Sequence, residues 1–81
     1  MSRDEKQRQV LNFLNEEFGA GLGDADVRET LFTSGRLDSL NSLQILAFID
    51  QQFSIKLGAL DVTIDEFDTV ESIVDLIEAR S

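Results

Sequence analysis

The first segment of the chain spaces its apolar residues with the period of an α-helix. Between about Asp4 and Phe18 they fall on one face at 3.6 residues per turn. They are Val10, Leu11, Phe13, Leu14 and Phe18. The opposite face takes most of the polar residues, which are Arg8, Asn12, Asn15 and Glu16. Because glycine readily adopts the left-handed conformation that ends helices, Gly19 is a suitable stop. The spacing therefore predicts an amphipathic helix over residues 4–18.

A long connection follows, from about Gly19 to Leu37. Its start is a poor helix former because glycine recurs at positions 19, 21 and 23. Spaced apolar residues over 27–32 predict a short helical turn there. A loop this long in a compact domain is usually pinned or functional. We expect four apolar side chains to pin it beneath the helices: Val27, Leu31, Phe32 and Leu37.

A second long helix is predicted from about Ser39 to Phe53. Asp38 is its expected N-cap, since a carboxylate accepts the unpaired amide hydrogens of a first turn. The apolar residues nearly encircle the axis: Leu40, Leu43, Ile45, Leu46, Ala47, Phe48, Ile49 and Phe53. A small bundle cannot bury such a helix on every side. We expect one stripe to be partly exposed and to contact a partner, although a purely core role for it stays open. This apolar stripe consists of Leu40, Leu43 and Ala47.

The last third of the chain contains a loop and two further helix starts. The pattern over 54–62 indicates a loop anchored by Ile55, Leu57 and Leu60. Thr63 and Glu66 have the spacing of a capping box, which predicts a short helix ending near Asp68. Thr69 is the expected cap of a last helix over about 70–79, whose inner face carries Val70, Ile73, Val74 and Ile77.

Strand signals are weak throughout, because no segment sustains a period-2 alternation and no Asn-Gly or Asp-Gly turn is present. The pattern predicts one all-α domain over residues 1–81. Its architecture is a small four-helix bundle with three longer helices, one short helix and a long first loop. At 81 residues there is no room for a second core.

The charge balance is strongly acidic, with sixteen Asp and Glu against seven Lys and Arg and a net charge of −9. Phosphate backbones repel such a surface, which argues against nucleic-acid binding and against adhesion to anionic membranes. Basic partners are the natural alternative, but the acid could also serve solubility alone. The first ten residues are charged and polar, and no apolar run approaches the ~20 residues of a membrane span. We expect a monomeric cytoplasmic protein.

The candidate chemistry centres on Ser39, between Asp38 and an apolar helix. A serine hydroxyl is a poor nucleophile unless a neighbouring base takes its proton. The sequence contains no histidine and no cysteine, and its two lysines, Lys6 and Lys56, lie outside this segment. We therefore expect Ser39 to be the target of another protein's reaction and not a catalytic nucleophile. Enzyme function is the weakest hypothesis, because no oxyanion motif or metal cluster accompanies the serine.

The acid-rich C-terminal third suggests a metal site, but the spacing does not support one. Between positions 61 and 78 there are seven acids and no base. Asp61, Thr63 and Asp65 alternate as the first ligands of a calcium loop would. Glu66 then stands where the sharp-turn glycine belongs, and Ser72 where the bidentate glutamate belongs. Helix caps and a solvated face explain these acids, and no metal is expected.

The run from Leu31 to Leu40, Leu-Phe-Thr-Ser-Gly-Arg-Leu-Asp-Ser-Leu, resembles the segment around the modified serine of acyl carrier proteins and their peptidyl and D-alanyl relatives. The order of helices, the acidity and the lack of cysteine agree with that family over most of the chain. The resemblance implies that a phosphopantetheinyl transferase attaches 4′-phosphopantetheine from coenzyme A to Ser39. It implies that Asp38 orients the site and assists magnesium during transfer, and that Leu40 contacts partner enzymes. The fold would be acyl-carrier-like, and the protein a stand-alone carrier, not an enzyme.

The second helix departs from the pattern of fatty-acid carriers, whose second helix is typically acidic. Asp50 is its only acid, and its outward positions are neutral: Asn41, Gln44, Gln51 and Gln52. This difference favours a dedicated carrier, loaded with a specialised acyl chain or an amino acid by a cognate ligase and read by downstream acyl-processing enzymes. Fatty-acid, polyketide and other specialised metabolism all stay open. Six phenylalanines, expected to fill much of the core, favour a short or polar cargo.

One rival function belongs to another class. The chain could be an acidic helical interaction module without a prosthetic group, docking a partner through the apolar stripe. Loss of function in Ser39→Ala would favour the carrier. Partner binding that survives the substitution would favour the module.

Overall fold

A computed structural model describes residues 2–58 and 62–80 of the chain. Helix α1 spans Arg3–Phe18, α2 Asn41–Phe53, α3 Ile64–Phe67 and α4 Val70–Arg80, and a single 3₁₀ turn spans Asp24–Asp26. The described residues contain no β-strand. The predicted all-α bundle of three longer helices and one short one is thereby confirmed. Within the same ranges, none of the helices combines the length and apolarity that crossing a bilayer requires.

Helix α1 begins and ends through local capping. The Ser2 hydroxyl accepts a hydrogen bond from the Glu5 amide at 3.2 Å, satisfying one of the unpaired donors of the first turn. At the other end Gly19 takes the left-handed conformation with φ of 60°, and its amide donates to the Asn15 carbonyl at 3.0 Å. The predicted stop at Gly19 is confirmed, and the helix starts one residue earlier than the periodicity indicated.

Helices α1 and α4 form the closely packed half of the molecule. Their inner faces meet across fully buried aliphatic side chains, which include Val10, Leu14, Ile73, Val74 and Ile77. Two ion pairs join the helices at the edge of this contact: Lys6 to Glu78 at 2.9 Å and Arg3 to Asp75 at 2.7 Å. The Lys6 side chain is only 11% exposed, so its stem covers apolar surface while its ammonium reaches the carboxylate.

The phenylalanines lie mainly at the edge of the core and not inside it. Only Phe67 is fully buried, and the other five are half-buried against an aliphatic interior. Phe13 stacks on Phe48 with ring centroids 4.1 Å apart, which joins α1 to α2. Phe18 and Phe53 meet this pair edge-to-face at 5.7 and 5.9 Å. The expectation that phenylalanine fills the core is therefore wrong for five of the six positions, because shorter aliphatic chains occupy the centre.

The long loop is pinned much as expected, but its helical turn lies elsewhere. Leu31 and Leu37 are buried, and Val27 and Phe32 are half-buried on the core. The turn forms at Asp24–Asp26 and not within 27–32. It forms there because the Asp26 carboxylate accepts the Gly23 amide at 2.8 Å and closes the chain on itself.

Sequence reasoning missed two residues that hold the start of this loop. Leu22 is buried, although it stands among the glycines. The Asn15 side chain, which was expected on the outer face of α1, accepts the Leu22 amide and donates to the Leu22 carbonyl, both at 2.8 Å. This paired contact fixes the loop to α1 without requiring a regular element.

The C-terminal helix starts follow the sequence. The Thr63 amide donates to the Glu66 carboxylate at 3.2 Å, which is one half of a capping box, and α3 follows directly. The Thr69 hydroxyl accepts the Ser72 amide at 2.9 Å and caps α4. In the preceding loop, Ile55 is buried and Leu57 half-buried, as predicted. The expected anchor Leu60 and the acid Asp61 lie outside the described residues.

Candidate functional site

The segment that leads into α2 differs from its predicted geometry. Helix α2 begins at Asn41, two residues later than expected, and Asp38 is not its N-cap. No described side chain caps α2, and the Asn41 side-chain oxygen instead accepts the Asp38 amide at 2.9 Å. Three successive backbone hydrogen bonds of the turn then lead into the helix. In each, an amide donates to the carbonyl three residues earlier: Asn41 to Asp38, Ser42 to Ser39 and Leu43 to Leu40. The Asp38 carboxylate thus accepts no hydrogen bond from the described residues.

Ser39 lies exposed in this turn, with its hydroxyl uncommitted. Its carbonyl accepts the Ser42 hydroxyl at 2.6 Å, but its own hydroxyl has no partner among residues 2–58 and 62–80. The amides of Ser39 and Leu40 likewise donate to no described group. Two free amides and an accessible hydroxyl at the start of a helix suit an anionic substituent on that hydroxyl.

The apolar stripe continues from Ser39 along the outer face of α2. Leu40 is 73% exposed, Leu43 53% exposed, and Ala47 is exposed as well. The predicted exposure of the apolar stripe is therefore confirmed. Ile64 at the start of α3 adds a further exposed apolar side chain, which the sequence did not single out. Such a grouping of apolar side chains on a charged protein is typical of a contact surface.

A small cleft lies between α2 and the start of α3. Its volume is about 120 Å³, and it is lined by Ser42, Leu46, Val62, Thr63, Ile64 and Phe67. Ser42 connects the cleft to the site, since its hydroxyl is bonded to the Ser39 carbonyl. The cleft is therefore a small one that adjoins the segment around Ser39.

A second polar feature lies before the site, where the loop meets the connection between α3 and α4. One oxygen of the Asp68 carboxylate accepts the amides of Leu31, Phe32 and Thr33 at 3.2, 2.9 and 3.1 Å. The other oxygen accepts the Thr33 hydroxyl at 2.5 Å. The Thr33 hydroxyl and, to a smaller extent, the three amides lower the pKa of Asp68, against a partial opposing effect of burial. We call this arrangement the Asp68 clamp.

The sequence does not predict the Asp68 clamp, since its pattern places Asp68 only at the end of the short helix. Asp68 stands within a run of acids, and nothing in that run distinguishes the hydrogen bonding of one carboxylate from that of the others. One sequence feature does point to this part of the loop: Thr33 is a hydroxyl residue that directly follows the apolar anchors Leu31 and Phe32. This feature indicates a residue that can form a hydrogen bond, but it does not indicate the partner 35 positions away in the chain.

Comparison with known proteins agrees with this geometry. A protein-family model described as phosphopantetheine attachment site matches residues 8–77. The D-alanyl carrier protein of Lactobacillus acidophilus (strain ATCC 700396 / NCK56 / N2 / NCFM) is 34% identical over 70 residues, which cover 86% of this chain and 87% of the relative. The D-alanyl carrier protein of Lactobacillus helveticus (strain DPC 4571) matches with the same identity and coverage. The chain therefore belongs to the family of carrier proteins that bear a 4′-phosphopantetheine prosthetic group and carry acyl or aminoacyl groups.

Proposed function

We propose that Ser39 is the attachment site of the 4′-phosphopantetheine arm, and that residues 1–81 act as a single carrier domain for a small aminoacyl or acyl group. The observation that carries this proposal is the uncommitted, exposed hydroxyl of Ser39 within the Asp-Ser-Leu run. Once attached, the arm supplies a thiol on which cargo is held as a thioester. The chain itself supplies the attachment point, the surroundings of the phosphodiester and the surface for partner enzymes.

The residues around Ser39 fit the phosphodiester of such an arm. The free amides of Ser39 and Leu40 are available as donors to its oxygens, and they lie at the start of α2, where negative charge is favoured. Asp38 is exposed and its carboxylate is unbonded by the described residues, so it is free to hold magnesium while the transferase acts. Ser42 is a poor alternative attachment point because its hydroxyl is already bonded to the Ser39 carbonyl.

The cleft and the relatives both favour a small cargo. The cleft between α2 and α3 has a volume of about 120 Å³, which is small for a long acyl chain and so supports a small cargo. Both of the relatives described above are D-alanyl carriers by name. We therefore favour D-alanine, loaded by a cognate ligase, over a long-chain fatty acyl group. Partner enzymes would contact the apolar stripe of Leu40, Leu43 and Ala47, together with Ile64.

Intact-mass spectrometry tests the attachment site. The apo protein is incubated with coenzyme A, magnesium and a broad-specificity phosphopantetheinyl transferase, alongside Ser39→Ala and the matched control Ser42→Ala. The parent and Ser42→Ala should each gain one phosphopantetheine unit, and Ser39→Ala none. Absence of any gain in folded parent protein, or a gain in Ser39→Ala, would contradict the proposed site and leave an interaction module without prosthetic group in its place.

Acyl chain length tests the size of the cargo. The same transferase can install acyl-phosphopantetheine directly from acyl-coenzyme A, giving acetyl-loaded and hexadecanoyl-loaded protein. A sequestered chain would stabilise the fold, because each buried methylene contributes about 0.8 kcal/mol. We expect the two loaded forms to unfold at the same temperature. A higher melting temperature for the hexadecanoyl form would show that the core opens for a long chain, and D-alanine would lose its structural support.

A further inference from the structure

We propose that Asp68 is a positioning residue for the modification of Ser39, holding the loop that leads to the serine against the connection between α3 and α4. The inference rests on the proposed function of Ser39. Asp68 would not contact the reacting atoms. Its effect passes through the backbone of residues 31–37.

The Asp68 clamp gathers three consecutive amides on one carboxylate oxygen, at 2.9–3.2 Å. Neighbouring amides converge in this way only where an anion or a strong acceptor holds them, since they otherwise need separate partners. The Thr33 hydroxyl on the second oxygen fixes the rotation of the carboxylate. The Leu31 amide also reaches the Asp68 carbonyl at 2.6 Å, so main chain and side chain of one residue hold the loop together.

Asp68 is itself held firmly, which makes it a suitable anchor. The preceding residue, Phe67, is 2% exposed and forms part of the wall of the cleft beside Ser42. The following residue, Thr69, caps α4. Because both neighbours of Asp68 are held in place, its carboxylate holds residues 31–33 in a fixed position relative to α3 and α4.

From the clamp the loop closes on itself and ends two residues before Ser39. The Leu37 amide donates to the Leu31 carbonyl at 2.8 Å, and the Gly35 amide to the Phe32 carbonyl at 3.1 Å. Gly35 adopts a φ of 85°, which a side chain would make costly. Since Leu31 and Leu37 are both buried, the segment from the clamp to Leu37 behaves as one closed unit. Its orientation decides where Ser39 is presented.

Few other contacts could replace the clamp. Among the described residues, only two further hydrogen bonds leave segment 31–37. The Ser34 hydroxyl donates to the Thr30 carbonyl at 2.6 Å, and the Arg36 guanidinium donates to the Ala20 carbonyl at 3.3 Å. Both bonds are exposed, and both reach another part of the same loop rather than a helix. Two further hydrogen bonds join the loop to Glu71 of α4, one accepted by the Val27 carbonyl and one donated by the Arg28 guanidinium, but both lie before the clamp in the chain. The polar connection from the Ser39 loop to the helices therefore depends on Asp68.

The test measures the kinetics of phosphopantetheine transfer at varied concentrations of the apo protein. The variants are Asp68→Ala, the milder Asp68→Asn and Thr33→Val, with Thr33→Ser as the conservative variant that keeps the hydroxyl. Asp65→Asn removes a neighbouring charge that accepts no hydrogen bond from the described residues. Ile73→Val serves as a second control, because it lowers stability in the core without touching the loop. Amide hydrogen exchange at residues 31–33 reports directly on the clamp.

We expect Asp68→Ala to lower kcat of transfer about tenfold, because a misplaced reacting group loses rate even when it still binds. KM should change little, since the apolar stripe is intact. Asp68→Asn and Thr33→Val should show smaller losses of kcat, and Thr33→Ser and Asp65→Asn should stay within about twofold of the parent. Exchange at residues 31–33 should accelerate in the variants that lose rate. Ile73→Val should transfer normally despite its lower stability.

Two results would overturn the inference. If exchange at residues 31–33 accelerates in Asp68→Ala or Thr33→Val while kcat stays at the parent value, the clamp holds the loop without positioning Ser39. If Ile73→Val slows transfer as much as an Asp68 variant of equal stability, the effect is one of global stability. Failure of the parent itself to be modified at Ser39 is a different result, which overturns the proposed function and this inference with it.

Discussion

Helices α2 and α4 are both rich in apolar residues, but the bundle uses them differently. Helix α4 buries five of its eleven residues and α2 only three of its thirteen, and the structure describes both helices in full. The α4 side chains meet α1 across a close backbone approach reinforced by ion pairs at Lys6 and Arg3. Leu43 on α2 is 53% exposed instead, and Leu40 just before the helix is 73% exposed.

The difference distinguishes two groups of apolar residues: buried ones, which stabilise the fold, and exposed ones, which contribute little to its stability. Exposed leucines gain little from folding, because most of their surface remains in water. Their grouping beside Ser39 is what a carrier that meets several enzymes would need, and this is why the proposed partner surface lies on α2. The contrast predicts that α4 contributes more to stability than α2 does, and that the outer face of α2 serves the proposed partners; substitution can test both.

The largest effect should come from the α4 side of the comparison. Ile73 is fully buried, and replacing it with alanine removes three carbons from a closely packed interior. We expect Ile73→Ala to lower the free energy of unfolding by about 2–5 kcal/mol, from lost burial and the cavity that remains. Urea denaturation followed by circular dichroism measures this. A loss below about 1 kcal/mol would mean that the α1–α4 half is loosely packed, and the comparison would fail.

A smaller effect should appear on acidification, through the Asp68 clamp. The pKa of Asp68 is lowered in the folded chain from an ordinary value of 3.8, chiefly by the Thr33 hydroxyl. A lowered folded pKa stabilises the fold fully above the unfolded pKa, and this contribution is lost as the pH falls through the folded value. Relative to Asp68→Asn, the parent should therefore have a constant stability advantage above about pH 5 that shrinks below about pH 4.

The measurement compares urea unfolding of the two proteins across that range, so that all other carboxylates cancel in the difference. An advantage that stays constant to the lowest pH at which both proteins fold would show that the charge of Asp68 contributes nothing to the clamp. In that case, the hydrogen bonds of the clamp would have to hold the loop equally well with a neutral side chain at position 68.

The sequence foretold the helices because their signals are local. The stop at Gly19, the cap at Thr69 and the exposure of Leu43 depend on residues within one or two turns of each other, where periodicity and capping rules apply. Even the error at α2 is local, because the expected Asp38 cap is replaced by a contact between the Asp38 amide and the Asn41 side chain, three positions away. Capping rules rank Asp38 as a good N-cap but do not decide whether its amide or its carboxylate makes the bond.

The long-range polar contacts could not be predicted, because nothing in a single sequence pairs their partners. Asp68 and Thr33 are 35 positions apart, and Asn15 meets Leu22 across a glycine-rich segment without periodicity. Ser39 could be predicted as the candidate site for a different reason, because the run Asp-Ser-Leu and its neighbours resemble a known family. That its hydroxyl is exposed and accepts or donates no hydrogen bond among the described residues could be seen only in the structure.

The smallest expected change in stability is also the sharpest test of α2, because opposite faces of one helix can be compared. Leu43 is 53% exposed and Leu46 only 7% exposed, although they stand three positions apart. Leu43→Ala should change the free energy of unfolding by less than about 0.5 kcal/mol, whereas Leu46→Ala should cost about 2–5 kcal/mol. Transfer kinetics on Leu43→Ala should show a raised KM, because the residue lies on the proposed partner surface. If Leu43→Ala is as destabilising as Leu46→Ala, the apolar stripe belongs to the core after all; if it leaves both stability and KM unchanged, the transferase contacts another surface of the carrier.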